Sequence, residues 1–287
     1  MKQFKRDELL NSDKLHLDKY YTPIILAKYC IDKTYKIIGK ENITEVIEPS
    51  AGNGSFSNQI EDCIAYDIEP DEQNIIKQDF LELNLDYKKG RLFIGNPPFG
   101  ARNALSVQFF KKAIQIGDYI AFILPISQYK NTQQMYEFDL IHSEDLGEKL
   151  YSDRKVHCCF NIYRRPANGN LNVKKKYDFL DFDLYEKRKG KKQSKLFPDN
   201  NYDFRICTWG ASAGRILKDN ESYAKEVAFY IHNPKMKPII RDAIERMDVN
   251  KEFMFTSTPN ILLWQLYEYL MREIPELKLS PKCQEGK

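Results

Sequence analysis

The stretch Glu48-Pro49-Ser50-Ala51-Gly52-Asn53-Gly54-Ser55-Phe56 constrains the fold more than any other part of this chain. It follows a candidate first strand, residues 43–47. Gly52 and Gly54 reach backbone angles that other residues resist, and small side chains around them let a ligand approach the main chain. A strand, a glycine turn and then a helix open a doubly wound parallel sheet. The third glycine of a dinucleotide loop is missing.

A short apolar run, Leu92-Phe93-Ile94-Gly95, ends in Asn96-Pro97-Pro98-Phe99. Neither proline can donate a ladder hydrogen bond, so the strand stops there. Ligands of open parallel α/β sheets bind outside the carboxyl ends of the strands. An amide, a proline carbonyl and an aromatic ring are therefore expected where the chemistry takes place. Between the two stretches, residues 63–66 form a strand ending in Asp67 and Ile68, and residues 75–77 form a short strand leading to Gln78-Asp79-Phe80. An acidic residue one βα unit after the glycine loop is positioned to bind two ribose hydroxyls.

Upstream, Tyr20-Tyr21-Thr22-Pro23 opens a helix with apolar residues at Ile25, Leu26, Tyr29, Cys30 and Ile37. Thr22 is the expected N-cap and Pro23 the first helical residue. Downstream, Phe109, Phe110, Ala113, Ile114 and Ile116 mark an amphipathic helix whose apolar side belongs to the core. Strands are expected at 119–124, 138–146 and 157–163.

The Asn-Pro-Pro-Phe tetrapeptide resembles the catalytic motif of amino-methyltransferases that take a methyl group from S-adenosylmethionine (SAM) and place it on N6 of adenine. The Glu48–Gly54 loop resembles the SAM loop of that family, and Tyr21-Thr22-Pro23 its N-terminal SAM-binding turn. The motifs occur in the order of one class of these enzymes and span roughly residues 20–166. The resemblance implies a class I methyltransferase fold: a mostly parallel α/β sheet, helices on both faces and one late antiparallel strand. It implies Asn96, Pro97, Pro98 and Phe99 as the catalytic group. It implies a SAM site built from Tyr21, Thr22, Pro23, Glu48, Pro49, Ala51, Gly52, Asn53, Gly54, Asp67, Ile68, Asp79 and Phe80. Glu48 would lie near the SAM ammonium group, Asp79 would accept the adenine amine of SAM, and Phe80 would pack on its ring. Phe160 would be the aromatic residue facing the target base, or else a core phenylalanine of a sheet hairpin.

The chemistry explains these residue types. An exocyclic amine is a poor nucleophile because its lone pair is delocalised into the ring. The Asn96 side-chain oxygen and the Pro97 carbonyl can each accept one of its N–H groups, which favours a pyramidal nitrogen carrying a localised lone pair. The interaction strengthens as the nitrogen gains positive charge, so it favours the transition state. Phe99 offers a face on which a flipped base can stack. Within the family, Asn at the first position favours adenine N6 over cytosine N4, and no Pro-Cys-Gln loop for C5 methylation is present. Methylation of adenine in RNA remains the alternative. A protein glutamine methyltransferase or a SAM-binding module without catalysis is a more distant one, the first disfavoured by Phe99 in place of Tyr.

Residues 1–150 carry 18 Lys and Arg against 23 Asp and Glu, a net −5, whereas 151–287 carry 26 against 18, a net +8. The basic second half suggests contact with a polyanion, here DNA, with RNA not excluded. Its densest run, from Lys187, Arg188 and Lys189 through Lys191 and Lys192, is expected in a loop, where it serves either the nucleic-acid backbone or solvation. The expected domains are a catalytic one over 1–166 and a smaller α+β target-recognition region over 167–287, with strands near 179–185, 202–209 and 225–231 and helices near 239–247 and 259–271. No zinc spacing links the six cysteines, so no metal site is expected, and they read as reduced thiols of a cytoplasmic protein.

Overall fold

The computed structural model describes residues 21–151, 154–188, 201–255 and 258–280. The chain divides into two compact units between Val173 and Lys174, later than the expected boundary at 166. Asn172 explains the difference. Its backbone N–H donates to the Glu137 carbonyl (2.9 Å) and its Nδ2 to Asp139 Oδ1 (2.8 Å), which keeps this segment with the first unit.

The first unit contains α1 (Ile24–Ile38), β1 (Glu45–Glu48), β2 (Ile64–Asp67), β3 (Ile76–Lys77), β4 (Arg91–Gly95), α2 (Ala104–Ile116), β5 (Tyr119–Pro125), β6 (Asp139–Tyr151) and β7 (Arg154–Arg164). The strands form one seven-stranded sheet in the order β3-β2-β1-β4-β5-β7-β6. β1 to β5 run parallel, β7 is antiparallel to β5, and β6 is antiparallel to β7. This is the mostly parallel sheet with one late antiparallel strand that the sequence resemblance implies. β4 is buried at every residue, as a central parallel strand covered on both faces must be.

Among the described residues, one helix covers each face. α1 buries Ala27, Cys30, Ile31 and Ile38 against Leu92 and Ile94 of β4 and Ala121 and Ile123 of β5. Ile25 and Tyr29 were expected on its apolar stripe, but both are exposed. α2 covers the opposite face, where Phe109 stacks on Phe80 (5.4 Å) and Phe110 meets Tyr163 edge-on (5.1 Å). At the amino ends of β4 and β5, Asp118 accepts from the Gly90 N–H and Arg165 Nε, while Arg91 donates to the Asp86 and Ile116 carbonyls. These bonds pin the end of the sheet opposite the glycine loop.

The helix expected after the glycine loop is absent. Residues 51–62 form turns and a single 3-10 turn, Ser57–Gln59. Gly, Asn and Ser dominate the stretch, all weak helix formers, and Asp62 sits at φ 56°.

The second unit holds a three-stranded antiparallel sheet, order β8-β10-β9, from β8 (Phe182–Arg188), β9 (Phe204–Cys207) and β10 (Lys225–Ile231). Helices α3 (Met236–Glu245), α4 (Val249–Glu252) and α5 (Leu263–Glu273) follow. Its core joins Phe182, Phe204, Val227 and Phe229 of the sheet to Ile240, Ile244, Leu266 and Leu270 of the helices. Lys187 and Arg188, expected in a loop, instead end β8, paired with Glu226 and Lys225 of β10. Lys189, Lys191 and Lys192 lie outside the described residues.

Candidate active site

The glycine loop turns sharply between β1 and β2. The Ala51 N–H donates to the Tyr66 carbonyl (2.9 Å) and the Gly54 N–H to the Ala51 carbonyl (2.8 Å). Gly52 (φ 54°) and Gly54 (φ 72°) both occupy the left-handed region, as their spacing implied. Asn53 Oδ1 lies 2.7 Å from Ser55 Oγ. Pro49 and Ala51 are buried beneath the loop.

Asp67 closes the turn from the end of β2. One carboxylate oxygen accepts the Gly52 N–H and the other the Glu69 N–H, both at 2.8 Å. The residue expected to hold a ribose therefore also shapes the loop, and it remains partly exposed. Ile68 beside it is 44% exposed, an apolar surface at the rim. Tyr21 bonds through its hydroxyl to Asp71, and a Cβ on Gly52 would sit 3.3 Å from the Tyr21 ring. Asp71 was not singled out from the sequence. Its only signal was an acidic residue four positions after Asp67.

Glu48 ends β1 and is 2% exposed, accepting the Ser57 N–H at 2.8 Å. Burial pushes its carboxyl up to about 8; hydrogen bonds from Ser57 and Phe56 hold it down in part, and the charge of Asp67 raises it. A Cβ on Gly95 would lie 3.4 Å from Glu48 Cγ, so this carboxyl reaches the end of β4.

The tetrapeptide follows β4 directly. Asn96 Nδ2 donates to Thr22 Oγ1 (3.3 Å), which turns the amide oxygen away from Thr22, and Ser50 Oγ lies 3.4 Å from the Asn96 carbonyl. Ser55 Oγ donates to the Thr22 carbonyl (2.8 Å). Thr22, Ser50, Ser55 and Asn96 thus tie three segments into one corner. Ser50 and Ser55 were missed as connectors, although both lie inside the glycine loop. Thr22 does not cap α1. Pro23, which has no side-chain acceptor, holds the N-cap position, and the Thr22 hydroxyl meets Asn96 instead. Pro97 is buried, Pro98 is partly buried, and Phe99 is partly buried against the α1-side core.

Asp79 caps the 3-10 turn Phe80–Glu82 by accepting the Leu81 N–H (2.9 Å). Phe80 is 1% exposed, with Phe109 stacked on it and Phe93 at its edge. That aromatic cluster, rather than an open pocket, surrounds its ring. Phe160 is wholly buried among Ile94, Ile123 and Ile162, which is the core reading of that residue.

No family model matches the sequence, and no curated protein matches it. Solved structures give partial overlaps. A candidate RNA methyltransferase from Pyrococcus horikoshii is 18% identical, over 54% of this chain and 90% of that one, with a TM-score of 0.41. A candidate class I SAM-dependent methyltransferase from Listeria monocytogenes is 14% identical, over 54% and 64%, at 0.43. Magnesium protoporphyrin IX methyltransferase from Synechocystis PCC 6803, with bound SAM, is 11% identical, over 50% and 77%, at 0.36. Such likenesses carry no argument about what this chain acts on.

Proposed function

We propose that this chain is a SAM-dependent methyltransferase acting on the exocyclic N6 amine of adenine in DNA. The observation that carries the reading is the corner at the carboxyl ends of β1, β2 and β4. There Asn96 is bonded to Thr22, and Thr22 in turn to the glycine loop that Asp67 shapes. The residues suit SAM chemically. A cradle with no Cβ at Gly52 and Gly54, a partly exposed carboxylate at Asp67, a buried acid at Glu48 and an apolar rim at Ile68 match a ribose, an ammonium group and a flat base.

SAM supplies an electrophilic methyl group. Asn96 accepts one N–H of the target amine through Oδ1, and the Pro97 carbonyl accepts the other. Both acceptors favour the nitrogen as it becomes positive. Thr22 engages the Asn96 amide nitrogen, which leaves the buried Oδ1 as the atom to meet the amine. Phe99, partly buried, would stack on the base, and fixed placement of the two reactants contributes much of the acceleration. The net +8 of residues 151–287 supports a polyanionic substrate. Adenine in RNA would present the same amine, so the assay offers both.

Asn96→Ala is expected to lower single-turnover methylation by about 100-fold or more, the usual scale for one transition-state acceptor or donor. Its SAM affinity should stay near that of the parent. Near-normal turnover in this variant would remove Asn96 from the chemistry.

A further inference from the structure

Four of the five non-glycine residues with positive φ among the described residues lie in two neighbouring loops. Arg102 (φ 56°) and Asn103 (φ 64°) follow the tetrapeptide, and Lys130 (φ 50°) and Met135 (φ 54°) follow β5. Such conformations persist only where the surroundings over-determine them, and they cluster where a loop has a task. A single buried side chain reaches the second of these loops.

Asn161 lies in β7 opposite Phe122 and is wholly buried. Its Nδ2 donates to the Gln128 carbonyl (2.8 Å) and to Tyr163 Oη (2.9 Å). Its Oδ1 accepts from Ser143 Oγ (2.8 Å), and Ser143 Oγ in turn accepts the Lys130 N–H (2.8 Å). One amide thus grips the turn after β5 at residues 128 and 130. Asn131 continues the connection, donating through Nδ2 to the Ser127 carbonyl (3.1 Å). Ser127 Oγ then accepts from Asn103 Nδ2 (2.9 Å), at the residue before α2. The Leu105 N–H donates to the Phe99 carbonyl (3.1 Å) and completes the path to the tetrapeptide.

An amide in the middle of a buried strand is costly unless satisfied, and an apolar side chain would suit the position for packing alone. What the amide adds is a fixed geometry for the turn. We propose that Asn161 is a positioning residue. Through Gln128, Ser143 and Ser127 it locks the turn after β5 onto the turn after Asn96-Pro97-Pro98-Phe99, and the locked pair forms the wall against which the methyl acceptor is seated. The nature of that acceptor rests on the methyl-transfer reading; the coupling of the two turns does not.

The test uses the full chain with SAM and two acceptors, an adenine-containing DNA duplex and a single-stranded RNA of matching sequence. Ser127→Ala removes the bridge to Asn103 at an exposed position, and Ser143→Ala removes the link to Lys130 at a half-buried one, so neither empties the core. Asn161→Asp keeps the acceptor for Ser143 and loses both donations. Each variant is expected to raise the acceptor KM at least tenfold, leave SAM affinity within twofold, and speed amide hydrogen exchange in residues 96–105 and 126–136. Ser143→Thr keeps the hydroxyl and should behave as the parent. An unchanged acceptor KM in Ser127→Ala and Asn161→Asp overturns the proposal, as does SAM affinity falling in step with acceptor binding. If the parent binds SAM but methylates neither acceptor, the methyl-acceptor reading fails. Hydrogen exchange then decides the coupling: unchanged exchange in both turns of Asn161→Asp overturns it.

Discussion

Glu48 makes this site sensitive to pH in a way that can be worked through. Its carboxyl stands at about 8 in the folded chain against an ordinary 4.5, chiefly because it is buried at the end of β1. An acid whose folded value is raised stabilises the fold most when both states are protonated, below pH 4.5. As pH rises, the unfolded chain ionises first, so that contribution declines through the window from 4.5 to 8 and is gone above it. The interval corresponds to roughly 5 kcal/mol at 1.36 kcal/mol for each tenfold change in proton activity. Glu48→Gln removes the titration and should flatten the decline, which thermal unfolding of the SAM-free chain between pH 5 and 8 would read. The same group couples to the cofactor. If the ammonium group of SAM sits beside Glu48, binding selects the ionised carboxylate, and close to one proton leaves per SAM bound near pH 7. Affinity should then rise by up to about tenfold per pH unit until pH 8. Calorimetry in two buffers of different ionisation enthalpy measures the proton directly. Binding that releases no proton at pH 7, with parent and Glu48→Gln sharing one affinity profile, would refute the assignment.

Three further outcomes test the same frame. Asp67→Ala removes acceptors for two backbone N–H groups, each worth about 1.5–3 kcal/mol when the acceptor is charged, so it should lower both melting temperature and SAM affinity, with Asp67→Asn in between; unchanged calorimetric affinity would exclude Asp67 from the site. Gly54→Ala meets both a positive φ and Asn58 Nδ2 at 2.5 Å, and should cost about 1–3 kcal/mol in denaturant unfolding. Adding Asn58→Ala should recover only the steric part, and full recovery would mean that φ does not matter there. Phe160→Ala should cost about 3–5 kcal/mol as a cavity in the core, whereas Phe160→Leu should keep normal acceptor kinetics; a stable Leu variant with a tenfold higher acceptor KM would restore the base-facing role.

Local signals carry as far as local causes do. The glycine loop, the prolines after β4 and the alternation in β7 each depend on a few adjacent residues, so the strands, their sequence order and the carboxyl-end position of the candidate site were legible before any coordinates. Even β8 to β10, in the half with no resemblance, were readable as β-prone runs. The helix missing after the glycine loop was less so, because the strand–turn–helix pattern of a doubly wound sheet outweighed a run of Gly, Asn and Ser.

What only the tertiary structure decided is which partner each polar or aromatic group takes. Thr22 could cap a helix or meet a residue 74 positions away, and the fold brings Asn96 within 3.3 Å of it. Phe80 and Phe160 could face a ligand or the core; α2 claims one and the α1-side core the other. Glu48 is an ordinary acid in the sequence, and its raised proton affinity exists only because the sheet closes around it. Asn161 gives no sign in the sequence of the turn it holds. Secondary structure follows from neighbours along the chain, whereas burial and hydrogen-bond choice follow from neighbours in space, and those exist only once the sheet has closed.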